Sequence, residues 1–504
     1  MNDKIPEGYI VPFPEDIMVP SRVKTRVGEF EFFDGAPTDE TVRKLYDFLD
    51  FNRAVDVYLN NLQALFTEGI RLSHIELGAT ACNHAIISEQ LVDARLMWPT
   101  TNLDTVYCSA ILDLERDGAT VVEIPPKCGP STVDDAWMRF IIDMGPPGPD
   151  RGQGGIYVIL PPDYNGELDP PAGGMEAKME IAGQVQKVYV AKSSTYTNWL
   201  ILRGFLVDGK PDAAVQMFKN GLKVYPLKDA ADPPEMKFIN IAGVYSNVMP
   251  PASERYFELL NNIVQKETMG AIDPERRGDI SAIGIEKGNP FNPDERMQRI
   301  YAEAARIGDA IGRTIMFSPR EKDAYLYEDR QWYMGFVGGR SDWLKDDGRG
   351  GIHLDARITF HYGAIVITPA MALKMVGVGS QYAFCSRDKD GQYLDGGKHY
   401  KLHLPPNIPA KDFWSIVAYD TQTRCIMQVP GQLVPGKNNK KDDLINNTDG
   451  SIDLYFGPEP PAEFENNWIK TAPGRAWFVL LRLYGPLEPW FDKTWKPNDF
   501  ELVD

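Results

Sequence analysis

Apolar positions recur along this chain in two textures, one of helical period and one of strand period. After Pro37, the residues Val42, Leu45, Tyr46, Leu49, Tyr58, Leu62 and Leu65 return at roughly helical spacing through Phe66. Thr38 is placed to cap this segment, with Asp39 and Glu40 at the positive end of its dipole. The period predicts a helix packed on a domain. From Leu96 to Val190 the texture shortens to strand-like runs: Thr105–Asp113, Ala119–Ile124, Trp137–Asp143, Ile156–Leu160 and Lys187–Lys192. Pro125-Pro126 and Pro161-Pro162 end two of them, and the Gly/Pro-rich stretches 145–155 and 163–174 read as loops. Helical spacing returns over about 211–330. Pro211 opens one helix, Ser253 is placed to cap a second that buries Phe257, Leu260 and Val264, and Asn292-Pro293-Asp294-Glu295 starts a third. Met297, Ile300, Tyr301, Ala304 and Ile311 supply the stripe of that third helix.

Strand texture resumes from about Ile352. Tyr400, Leu402 and Leu404 alternate with His399, Lys401 and His403, the pattern of a half-buried strand, and Phe413–Tyr419 and Ser451–Phe456 read as further strands. In Ala476–Tyr484, Trp477, Val479, Leu481 and Leu483 share one face, while Phe478, Leu480, Arg482 and Tyr484 share the other, so both faces are expected to be covered. The resulting expectation is a mainly β chain with α: an N-terminal arm and amphipathic helix (1–70), a first β-sandwich module (71–205), a helical segment (206–345) and a C-terminal β-sandwich module (346–504).

Composition narrows the function classes. The 504 residues exceed one ordinary core. A formal net charge of -18 argues against phosphate-backbone binding and against charge-driven docking to anionic lipid. No apolar run is long enough for a transmembrane helix, and Met1–Pro6 lacks the apolar stretch of a signal peptide. Five dispersed cysteines without a CxxC pair leave at least one unpaired, and are expected to be mostly buried reduced thiols.

Familiar catalytic strings are missing: Gly339-Arg340-Ser341-Asp342-Trp343 lacks the last glycine of a serine elbow, and no HExxH or P-loop occurs. His74-Ile75-Glu76 resembles half a deaminase motif without its cysteine partner. What remains is a set of polar clusters, each with two readings. Asn102, Asp104 and Tyr107 stand where a strand begins. Asp104 suits a general acid/base or ligand anchor with Asn102 and Tyr107 orienting substrate, and the same residues suit a turn fixed by side-chain-to-backbone bonds. His361 is a second acid/base candidate, with Tyr362 beside it as a ligand contact. His353, Asp355 and His361 offer a transition-metal set if their segment is a strand, and Asp388, Asp390 and Asp395 form either a calcium loop or a hairpin turn. No metal or cofactor is assigned. Trp468 with Asn467 is a ligand platform or core, and Arg482 is expected to meet a buried carboxylate such as Asp420.

Two motif sets carry a resemblance. Pro99-Thr100-Thr101-Asn102-Leu103-Asp104-Thr105-Val106-Tyr107 resembles the Pro-Asn-x-Asp-Thr-x-Tyr signature of one bacterial domain of unknown function, with Thr101 in the proline slot. Arg387–Gly391, Leu394-Asp395-Gly396, Phe413-Trp414-Ser415, Tyr419-Asp420, Asp449-Gly450-Ser451, Asn467-Trp468 and Arg482–Pro486 resemble a second. Together they are similar to the two-domain DUF1254/DUF1214 family. The resemblance implies two jelly-roll-like antiparallel β-sandwich modules with helices between them, and a periplasmic or secreted setting. Three functional classes stay open. One is a hydrolase or lyase on a neutral or glycan-like compound using Asp104 and Asp420 with His361 or Tyr107. The others are a non-catalytic carbohydrate- or small-molecule-binding protein, and a secreted structural or interaction protein that forms a homo-oligomer.

Overall fold

Strands apolar on both faces need a layer on each side, and that requirement organises this chain. The computed structural model describes residues 5, 8, 10–11, 14–166, 168–171 and 174–503. Part of the loop expected at 163–174 (Glu167, Ala172, Gly173) and most of the first residues lie outside the described residues. In the first module a six-stranded sheet contains, at its centre, β1 (Thr105–Asp113) paired antiparallel with β2 (Thr197–Phe205). It packs on a five-stranded sheet built from Met175–Ile181, Gln184–Lys192, Gly155–Leu160, Thr120–Ile124 and Lys223–Pro226. Val106, Cys108, Leu200 and Leu202 of the one meet Val122, Tyr157, Ile159 and Val224 of the other. Strands Lys223–Pro226 and Lys237–Asn240 also join these sheets, so the first module draws on residues beyond 205.

The second module repeats the plan with two four-stranded sheets. Its inner sheet holds β3 (Ser380–Cys385), β4 (Ala410–Asp420) and β5 (Trp477–Pro486), with β5 between the other two and Gly436–Asn438 outside β4. The outer sheet is built on His399–Leu404 and Ile452–Gly457, and Leu402, Leu454, Trp477, Val479 and Leu481 fill the space between. The sheets are mixed: Tyr157–Leu160 runs parallel to Tyr189–Lys192, and Tyr455–Gly457 parallel to Trp468–Lys470. The chain between the members of each pair is long enough to cross over, with the strand Met175–Ile181 in the first connection and the short turn Glu465–Asn467 in the second, which a tight hairpin is not.

Helices cover the other faces of both inner sheets. These are α1 (Asp39–Asn60), α2 (Leu62–Glu76), α3 (Arg255–Lys266), α4 (Pro274–Ala282), α5 (Glu295–Phe317) and α6 (Leu354–Gly363). Tyr58, Leu62, Leu260, Ile300, Ala304 and Phe360 from this layer share one core with Trp199 and Ile201 of β2, Tyr419 of β4, and Phe478 and Leu480 of β5. Every residue of β5 is buried, as its two apolar faces predict. Thr38 caps α1 by accepting the Thr41 N–H at 3.3 Å.

Several elements differ from expectation. The α1 stripe is buried only in its second half: Leu45, Tyr46, Phe48 and Leu49 are exposed. Within the expected start 292–295 it is Asp294 that caps α5, accepting the Met297 N–H at 2.8 Å, whereas Ser253 does not cap α3. The segment after Ile352 is helix α6, not strand, because the His353 Nδ1 accepts the Ala356 N–H at 3.2 Å and nucleates a first turn. Trp137–Asp143 is split by a turn in which Asp135 Oδ1 accepts the N–H groups of Trp137 and Arg139. All five cysteines are free and buried, and among the described residues no helix is long and apolar enough to cross a membrane.

Candidate functional site

The outward faces of the two inner sheets meet beneath α6, and their registers fix what they present there. In the first module Arg203 of β2 lies opposite Tyr107 of β1; in the second, Arg482 of β5 lies opposite Tyr382 of β3. Cross-strand partners point to the same side of a sheet, so each module offers one arginine–tyrosine pair to the junction. Between the pairs is a cavity with about 70 Å³ of room for water centres. A single water needs about 10–15 Å³ by that measure, so a small organic molecule fits. The wall is apolar, formed by Ile86, Trp199, Ile201, Phe336, Phe360 and Leu480 among others, and no carboxylate is among the described residues that line it.

The signature motif supplies the polar rim. Asn102 Oδ1 accepts the backbone N–H groups of Asp104 (2.9 Å) and Thr105 (3.0 Å), closing a turn at the start of β1. Asn102 also donates to the Tyr107 hydroxyl twice, from Nδ2 at 2.7 Å and from its backbone N–H at 3.1 Å. With its oxygen accepting both, the Tyr107 O–H is left as a donor on the cavity wall. Arg482 lies 2% exposed; its Nη2 donates to the Thr100 carbonyl, and its Nη1 has no hydrogen-bond partner. Its guanidinium also stands over the Tyr419 ring at 5.6 Å. Arg203 Nε is likewise buried without a partner. The groups named here that lack a partner, Arg482 Nη1, Arg203 Nε and the Tyr107 O–H, are all donors.

The acids stand behind the wall. Asp104, 2% exposed, accepts from the Ser415 hydroxyl, from Asn438 Nδ2 at 2.8 Å and from the Tyr484 hydroxyl at 3.3 Å. It therefore ties the first module's motif to β4, β5 and the Gly436–Asn438 strand of the second. Near Arg203, burial pushes Asp134 well above the usual carboxylate range. Burial also raises Asp143 to about 6, against the Thr368 hydroxyl bond at 2.6 Å and the Arg203 charge. The folded value exceeds the unfolded one, so the stability Asp143 confers is complete below about pH 4 and lost as pH rises through 6. We expect Asp143→Asn to match the parent near pH 4 and to exceed it by roughly 2–3 kcal/mol at pH 7. Urea midpoints at the two pH values measure this, and an unchanged difference between them would contradict it.

The residues singled out from sequence do not gather in one place. Asn102 and Tyr107 line the junction cavity, with Asp104 one layer behind them. Asp420 caps a turn, its Oδ1 accepting from the Gln422 and Thr423 N–H groups, and its Oδ2 meets Arg475 at 3.0 Å rather than Arg482. His361 sits on α6 with its edge toward Trp343 and lines a separate cleft; burial, reinforced by Arg357, lowers it to about 3. The Tyr362 hydroxyl donates to Asp309 at 2.6 Å, and its ring lies under Arg424 at 4.3 Å. Asn467 spends its amide on Ile445 and Asp453 backbone, and the Trp468 indole donates to the Gly457 carbonyl in the second module's outer sheet. Asp388 closes a hairpin by accepting the N–H groups of Asp390 and Gln392. His74 ends a buried chain in which the Trp199 indole donates to Ser109, Ser109 to His74 Nε2, and His74 Nδ1 to the Ile70 carbonyl.

Asp355 pairs with Arg320, so the metal set read from His353, Asp355 and His361 does not assemble. One alternative group forms: ligand atoms of Glu321, Asp323 and His353 lie within 4.8 Å of one another. His353 Nδ1 already accepts a backbone N–H, which leaves the proton of a neutral ring on Nε2, against Glu321. A ligating nitrogen must be proton-free, so the arrangement suits a hydrogen-bonded cap better than a metal.

Sequence reasoning missed Arg203 and the role of Arg482 as half of a matched pair. The signal was an arginine embedded in an otherwise apolar run, Trp199–Arg203 and Trp477–Arg482, once in each module.

A model described as "Protein of unknown function (DUF1254)" matches residues 82–226, and one described as "Protein of unknown function (DUF1214)" matches 379–488. The crystal structure of the VPA0106 protein from Vibrio parahaemolyticus aligns over 90% of this chain and 100% of its own, with a TM-score of 0.52 and 16% identity, a likeness of fold. An uncharacterised protein from Burkholderia cenocepacia covers 91% of this chain and 96% of its own at a TM-score of 0.38 and 12% identity. No curated protein matches the chain.

Proposed function

With the chain placed as a two-domain protein carrying DUF1254 and DUF1214 regions, we propose that it binds a small organic anion, a carboxylate with an apolar body, in the cavity between its modules. One observation carries this reading: an apolar cavity receives the buried Arg482, the half-buried Arg203 and a tyrosine hydroxyl left with a proton to donate, and no acid is among the described residues that line it. Buried guanidinium groups without a hydrogen-bonded carboxylate are costly, and a bound anion relieves that cost. Donors fixed in a low-dielectric site also bind charge more strongly than they would in water.

Binding draws more support than acid/base hydrolysis. Asp104 and Asp420 have their oxygens committed to neighbouring donors and lie outside the cavity, and His361 faces a different cleft. A glycan platform at Trp468 has less support, because its indole N–H is bonded into the sheet edge.

Acetate, isovalerate and benzoate serve as ligands, with benzyl alcohol as the uncharged control. The carboxylates are expected to raise the melting temperature in a saturable way, and the alcohol is not. Replacing Arg482 or Arg203 with Met is expected to weaken binding by about ten- to a hundredfold, the worth of one charge-assisted hydrogen bond. Equal binding of acid and alcohol, or full affinity in both variants, would overturn the assignment.

A further inference from the structure

A second cavity lies on the far side of an aromatic wall from the first. Phe336 and Phe360 line the junction cavity; Trp343, stacked on Phe336 at 5.5 Å, lines a cleft of about 590 Å³ among α1, α2, α4 and α6. Two arginines from different helices meet on one neutral atom there. The Asn60 Oδ1 accepts from Arg357 Nη2 at 2.6 Å and from Arg276 Nη2 at 3.3 Å. Arg357 has no ion pair among the described residues, and its Nε is buried without a partner. Arg276 reaches Asp279 only at 3.4 Å. Two cations sharing an amide oxygen repel one another, and burial with that repulsion lowers Arg357 to about 10.

Two neutral polar groups with unpartnered atoms line the same space. Gln63 is 5% exposed, and its Nε2 donates to the Asn60 carbonyl at 3.1 Å, which orients the amide and leaves Oε1 without a donor. His361 is 2% exposed, and its Nδ1 has no partner. The acids on the rim are committed elsewhere: Asp342 to Arg340, and Asp273 to the backbone N–H of Arg276 at the start of α4. Arg139, also on the rim, is held by Asp135.

We propose that this cleft is a second ligand site, for a hydroxylated organic oxyanion whose charged group is held between Arg276 and Arg357 and whose hydroxyl donates to Gln63 Oε1. Carboxylate and phosphate share the chemistry that the guanidinium pair recognises. The proposal is independent of the junction-cavity reading, because none of the residues it uses lines that cavity.

The test is calorimetric titration of the full chain with glucuronate and with glucose 6-phosphate, using glucose as the neutral control. Saturable binding of either anion is expected, and the stronger of the two identifies the charged group. Arg357→Met removes a half-buried charge that has no ion pair among the described residues, so the ligand-free variant is expected to melt at or above the parent temperature while losing about tenfold or more in affinity. Arg482→Met is expected to leave this binding unchanged. The proposal fails if neither anion binds at millimolar concentration, if glucose binds as well as they do, or if Arg357→Met retains full affinity.

Discussion

Asp104→Ala is expected to destabilise the folded chain by about 3–5 kcal/mol, the cost of stranding the partners of a buried carboxylate. The substitution leaves the Ser415 hydroxyl, the Asn438 amide and the Tyr484 hydroxyl without their acceptor in a region where Ser415 is wholly buried. It also removes a carboxylate whose charge supports Arg482. Those partners lie on β4, on the Gly436–Asn438 strand and on β5, so the loss falls on the contact between modules. Chemical denaturation of parent and variant measures the loss, and a cycle with Ser415→Ala isolates the pair, for which coupling of about 0.5–3 kcal/mol is expected. Asp104→Asn keeps one oxygen and should recover part of the stability. A reading of Asp104 as a general acid or base predicts the opposite pattern for Asp104→Asn: unchanged stability and lost turnover of a substrate. A destabilisation well under 1 kcal/mol in the alanine variant would remove the structural role.

Gly308→Leu is expected to cost at least as much, through overpacking rather than lost polarity. A Cβ at Gly308 on α5 would stand 2.4 Å from the Tyr58 ring of α1. That ring cannot retreat, because Tyr256 lies behind it at a centroid distance of 4.1 Å and both are fully buried. One turn on, Gly312 faces the Tyr362 ring of α6 at the same 2.4 Å. The two glycines form the groove through which α5 seats both neighbours. Alanine there gains about 1 kcal/mol of helix propensity but still overlaps the ring, so Gly308→Ala should be destabilising by about 1–3 kcal/mol, and leucine by more. Since α6 carries Phe360 and Ala364 follows it on the cavity wall, carboxylate binding in the junction should weaken together with stability. A Gly308→Ala variant at least as stable as the parent would show that α1 moves aside.

Much of the architecture was legible because it is local. The proline pairs, the two-faced run Trp477–Tyr484 and the Thr38 cap each depend on neighbours in sequence, and the structure bears them out. The misreading at His353 and Asp355 had a local cause as well: a short apolar segment suits strand or helix, and a histidine cap decided it.

The candidate site divides along the same line. The Asn102–Tyr107 turn forms from contacts between residues two to five apart, so the sequence by itself determined that those side chains would cluster at the head of a strand. Whether Asp104 faced a ligand or a partner strand depended on residues more than three hundred positions away, and the placing of Arg203 and Arg482 on one cavity likewise joins strands far apart in the chain. No periodicity encodes which outward face of one sheet will oppose which face of another. That choice belongs to the packing of both modules on the helical layer, and it turned two arginines from separate apolar strands into lining residues of one cavity.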